Sequence, residues 1–74
     1  MKLSWTAEAR QDRRAIFSYI RKDNPAAAAD MDDEFVRAAA QLSRHPFSGR
    51  VGRVEDTREL LVHPSYLIIY DIKR

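Results

Sequence analysis

Apolar side chains recur along this chain in two rhythms, and the rhythm changes near His45-Pro46. Before that point they come three and four apart. Ala9, Ile16, Phe17 and Ile20 share one face with Tyr19 beside it, and Ala28, Met31, Phe35, Ala38, Ala39 and Leu42 share another. Such spacing predicts two amphipathic helices. The first runs from Ala7 to about Lys22. Thr6 suits its N-cap, Glu8 its first turn, and Arg21 and Lys22 its last, where each charge complements the helix dipole. Asp23-Asn24-Pro25 breaks the pattern. Asn24 can cap a second helix that opens with Pro25 and runs to about Ser43. His45-Pro46 ends it, because the residue before a proline is pushed out of helical geometry. A short turn between two helices implies an antiparallel hairpin.

After Pro46 the period becomes two. Gly49 and Gly52 allow a tight loop. From about Thr57, Arg58, Leu60 and Val62 point one way while Glu59 and Leu61 point the other. His63-Pro64-Ser65 reads as a turn. Tyr66–Ile72 follows as a strand with apolar residues on both faces, a pattern that suits a central position. At the start, Leu3 and Trp5 alternate within Lys2–Thr6 and predict one short strand more. The expected order is therefore β-α-α-β-β. That is an α+β fold, a helical hairpin packed on an antiparallel sheet, in one domain spanning residues 1–74.

Composition adds limits. Seventy-four residues build a marginal core, and chains below about 70–80 residues usually need a disulfide, a metal, a partner or very regular packing. There is no cysteine and there are only two histidines, His45 and His63, so disulfides and a zinc site are not expected. A partner is the expected source of added stability. No apolar run reaches the roughly 18 residues of a membrane span. The first ten residues lack the apolar core of a secretory signal, so the expected location is the cytoplasm.

The net charge is +2, and its placement matters more than its size. Residues 1–43 hold seven basic and seven acidic side chains, whereas residues 44–74 hold six and four. Three arginines and no acid lie from Arg44 to Val54. This basic loop could meet phosphate or a carboxylate-rich partner, or simply be solvated. Arg50 and Arg53 are its best candidates for contact. Arg58, in the following strand, could serve the same surface or form a structural pair with an acid such as Asp12. His63, Tyr66 and Tyr70 are accessory candidates. Tyrosines at that spacing can stack on bases, yet more often belong to a core or its rim. Asp30, Asp32, Asp33 and Glu34 diverge around a helix and read as a solvated face, not a metal site. No cofactor is expected.

Taken together, these residues resemble the RelE/ParE toxins of bacterial type II toxin–antitoxin modules. The resemblance is carried by Trp5 and Ala9, Ile16, Tyr19-Ile20, Asn24-Pro25 with Ala27-Ala28, and Leu42. It continues through Pro46, Gly49-Arg50, Gly52-Arg53, Thr57-Arg58-Glu59-Leu60, and Tyr66 with Ile69-Tyr70. No single piece is diagnostic; the ordered combination is fairly specific. The family's β-α-α-β-β-β fold agrees with the periodicity except for one missing strand.

The resemblance implies a growth-arresting toxin neutralised by a cognate antitoxin, a partly disordered protein that orders on binding. It also implies a higher-order complex and a role in plasmid or chromosomal stabilisation. ParE-like members poison DNA gyrase, whereas RelE-like members cleave messenger RNA on the ribosome. Cleavage needs proton donors and acceptors as well as cations, and arginine stays charged. The Arg-only loop and the G-R-x-G-R-x-x-x-T-R-E-L string lie closer to ParE-like members, which need only bind. The alternatives are an mRNA endoribonuclease and a non-toxic antitoxin-binding module. The resemblance does not carry over the arginine and tyrosine residues that RelE-type members hold in or after a last strand.

Overall fold

The computed structural model describes residues 3–72. Its elements run α1 (Ala7–Arg21), α2 (Pro25–Arg44), β1 (Arg50–Val51), β2 (Arg58–His63) and β3 (Tyr66–Tyr70). The strands form an antiparallel sheet in the order β1-β2-β3. Two helices followed by this sheet make a small α+β domain.

Local chemistry sets the helix ends. The Thr6 hydroxyl accepts the Ala9 N–H at 3.0 Å, and the Asn24 side chain accepts the Ala27 N–H at 3.1 Å. Each cap satisfies one of the donors that the first turn leaves open. Between the helices, the Asp23 and Asn24 N–H groups both donate to the Ile20 carbonyl, which closes the turn. At the far end, the His45 N–H donates to Gln41 and Pro46 stops α2.

The core is a stripe on α2. Ala28, Met31, Phe35, Ala39 and Leu42 are buried there, and Tyr70 joins them from the sheet. Phe35 meets Tyr66 edge-on, with ring centroids 6.1 Å apart, which ties α2 to β3. No residue of α1 is fully buried. That helix is held by half-buried Ile16, Phe17 and Ile20 and by a bidentate pair from Arg13 to Asp32 of α2.

Three expectations change. The short strand expected over Lys2–Thr6 is absent from Leu3–Thr6, and Lys2 lies outside the described residues. Thr6 is spent on the cap, and Trp5 lies under the Arg13 guanidinium, 4.7 Å from its ring centroid. Trp5 is thus satisfied against α1 and not in a ladder. Conversely, β1 forms inside what read as loop, because Arg50 pairs with Glu59 and Val51 with Arg58. Finally, β2 is the central strand, and β3 is an edge among the described residues. Its two apolar faces have different causes: Tyr70 packs into the core, while Leu67 pairs across the sheet with exposed Leu61.

Candidate functional site

The arginine loop is built from its two ends inward. At the α2 end, the Ser48 N–H and hydroxyl both donate to the His45 carbonyl, at 3.0 and 2.8 Å. At the β2 end, the Gly52 N–H donates to the Thr57 carbonyl at 2.8 Å, and the Thr57 hydroxyl donates to the Val54 carbonyl at 2.6 Å. Asp56 takes the one left-handed backbone conformation among the described residues, φ 64°. Neither glycine does. Their role is close approach: a Cβ on Gly49 would lie 2.6 Å from the Tyr70 hydroxyl and 2.7 Å from the Glu59 carbonyl oxygen.

Two candidate residues turn out to hold the loop from beneath. The Tyr70 hydroxyl donates to the Pro46 carbonyl at 2.6 Å and accepts the Gly49 N–H at 3.1 Å. Arg58 reaches the same segment. Its Nε and Nη2 donate to the Gly49 carbonyl at 3.1 and 2.6 Å, and Nη2 also donates to the Phe47 carbonyl at 3.3 Å. Its guanidinium stands 5.3 Å from the Phe47 ring centroid. Carbonyls, and not the acid Asp12, therefore take up the Arg58 donors.

Arg50 and Arg53 are the outward pair, with side chains 65% and 84% exposed. Both lean on Glu59, which sequence reasoning did not single out. The Glu59 side chain is only 6% exposed. Its Oε1 accepts from Arg50 Nη2 at 3.2 Å and Nε at 3.4 Å, and its Oε2 accepts the Arg53 backbone N–H at 3.3 Å. Arg53 Nε stands 4.0 Å from Oε2. The Arg53 N–H, opposed by burial and aided by the Arg50 guanidinium, holds the Glu59 carboxyl below the usual carboxylate range. The Arg50–Glu59 register would have pointed to this acid, but that register is visible only once β1 is known.

His63 and Tyr66 belong to the other end of the hairpin. His63 Nδ1 accepts the Ser65 N–H at 3.0 Å, and its ring lies 5.7 Å from that of Tyr66. The site residues thus fall into three groups: Arg50 and Arg53 outward, Arg58 and Tyr70 beneath the loop, His63 and Tyr66 remote. Among the described residues, no group of three or more histidine or acidic side chains could hold a metal. No described helix is long and apolar enough to cross a membrane.

Residues 3–74 match the family described as ParE toxin of type II toxin-antitoxin system, parDE. The chain belongs to the ParE toxin family. It is 40% identical over 74 residues to "Putative toxin Y4kP" of Sinorhizobium fredii, covering 99% of this chain and 77% of that one. It is also 39% identical over 66 residues to "Toxin RelE2" of Caulobacter vibrioides, covering 89% of this chain and 74% of the relative. No solved structure matches significantly. For a ParE-family toxin, a cognate antitoxin is the implied partner. The arginine loop lies inside the matched region, between the helical hairpin and the β2–β3 hairpin.

Proposed function

We propose that this ParE-family toxin arrests growth by binding and inhibiting DNA gyrase in the cytoplasm, and that its antitoxin orders on binding it. Arg50 and Arg53 make the target contact, and Arg58 shapes the loop that carries them. The observation that supports this most is a separation. His63, whose imidazole is the one accessory side chain suited to serve as a general base, lies four residues along β2 from Glu59, the strand partner of Arg50. At the usual rise per residue this is about 13 Å. A general base must come within hydrogen-bond reach of the proton it takes, while the cations must sit on the same phosphate. Tyr70 lies nearer, but its hydroxyl is already committed to Pro46 and Gly49. Exposed Phe47, Val51 and Val54 flank the arginines, a mixture of apolar side chains and arginine that suits a protein surface.

The name of the Caulobacter relative, "Toxin RelE2", favours a second reading, ribosome-dependent mRNA cleavage. A supercoiling assay with the purified chain decides between them. Inhibition of gyrase without any effect on translated mRNA supports the first reading. Intact supercoiling with cleaved mRNA supports the second.

A further inference from the structure

We propose that Glu59 is a positioning residue that sets Arg50 and Arg53 side by side as a clamp for a carboxylate on a protein partner. This rests on the reading of the arginine loop as the target-contact surface.

Burial gives the first argument. Glu59 is the buried charged residue among those described, although both arginines that neutralise it are largely in water. A carboxylate placed under a loop loses hydration and must be repaid by donors. Here each oxygen has its own: Oε1 takes the Arg50 guanidinium and Oε2 takes the Arg53 N–H. The acid therefore fixes the Arg50 side chain directly and, for Arg53, the backbone from which the side chain projects.

Both arginines also keep donors that Glu59 does not engage. A guanidinium has five N–H donors. Glu59 engages Arg50 through Nε and Nη2 and stands 4.0 Å from Arg53 Nε. The other donors of both arginines are left for a ligand. Residues 44–59 hold four arginines and three acids, so the loop and its strand carry a net charge of +1. That is enough to favour one carboxylate and too little for a run of phosphates. The neighbouring apolar side chains of Val51 and Val54, 78% and 65% exposed, supply the rest of a protein-type contact. Holding the Arg50 side chain and the Arg53 backbone beforehand removes part of an ordering cost that binding would otherwise carry.

The test uses the full chain labelled with nitrogen-15, as wild type and as Glu59→Gln. The glutamine keeps an oxygen for the Arg53 N–H but loses the charge. In the wild type, the Arg50 Nε–H signal should be distinct from those of exposed Arg10, Arg14 and Arg21. In Glu59→Gln, it should move to the exposed-arginine position, with amide signals outside residues 46–59 unchanged. A short peptide holding two glutamates should shift the Arg50 and Arg53 signals first. Equal shifts at Arg10, Arg14 and Arg21, or an equally strong response to inorganic phosphate, would overturn the proposal.

Supercoiling supplies an arm of opposite sign for mere charge. Glu59→Gln makes the loop more positive, so simple attraction predicts stronger inhibition. Positioning predicts inhibition weakened roughly tenfold, and unchanged or stronger inhibition would overturn it. If the wild type does not inhibit gyrase at all, the proposed target fails. The side-chain signals then still decide the role of Glu59.

Discussion

The phenol of Tyr70 donates to the Pro46 carbonyl at 2.6 Å, so the last strand holds the residue that ends α2, 24 positions earlier. The same oxygen accepts the Gly49 N–H. Removing it leaves a buried donor and a carbonyl without their partner. Tyr70→Phe should cost about 1–3 kcal/mol, read as a lower urea midpoint at unchanged slope. A loss below about 0.5 kcal/mol would mean that water replaces the hydroxyl.

Gly49→Ala attacks the same joint from the other side. Its Cβ would meet the Tyr70 hydroxyl and the Glu59 carbonyl oxygen. A cost of about 1–3 kcal/mol is expected. Combining it with Tyr70→Phe should recover only part of the loss, since the Glu59 backbone cannot retreat. Full recovery in equilibrium unfolding would place the strain on the tyrosine alone.

Arg50→Gln with Arg53→Gln should abolish target inhibition and growth arrest. Antitoxin affinity should change less than about tenfold, as expected when only exposed charges are removed. The check is supercoiling inhibition beside antitoxin binding by calorimetry. Persistent growth arrest would remove the loop from the effector surface.

Glu59 makes stability depend on pH in a defined direction. Its folded-state carboxyl titrates below the ordinary value of 4.5. The stability this contributes is therefore fully present above that value and is lost as pH falls through the folded pKa. The stability gap between wild type and Glu59→Gln should be constant near neutrality and narrow below about pH 4.5. Urea unfolding at several pH values tests this, and a gap that widens in acid would reverse the assignment.

The two faces of β2 can be told apart with aspartate. Leu60 is half-buried and pairs with Ile68, whereas neighbouring Leu61 is 62% exposed. Leu60→Asp should cost about 3 kcal/mol, a large part of the roughly 4–11 kcal/mol expected for a chain this size. Leu61→Asp should change thermal stability by less than about 0.5 kcal/mol. Similar melting losses in both would mean that the strand faces are not distinct.

The parts of this fold that were legible in the sequence are those decided within a few residues. Thr6, Asn24-Pro25 and His45-Pro46 mark helix ends through their own side chains and backbone limits, and all three mark them here. The β2–β3 hairpin was legible because alternation and the His63-Pro64-Ser65 turn agree. The Leu3/Trp5 alternation failed because two residues cannot say which surface they face, and Arg13 was the nearer one for Trp5. The roles of Glu59, Arg58 and Tyr70 were hidden for a related reason. Their partners lie from 6 to 24 positions away, and the pairings exist only after the loop has closed.

The unequal burial of the two helices has a consequence for how the molecule opens. α2 packs its buried stripe between α1 and the sheet, where Phe35 meets Tyr66, and the arginine loop hangs from its end. α1 contributes no fully buried residue and holds on through Arg13, Trp5 and a half-covered apolar edge. Opening free energies are lowest where few apolar contacts must be broken. The amides of α1 are therefore expected to take up deuterium before those of α2 and β2. The hydrogen bonds from Tyr70 and Arg58 that shape the arginine loop involve no residue of the first helix, so that loop should keep its form while the first helix frays.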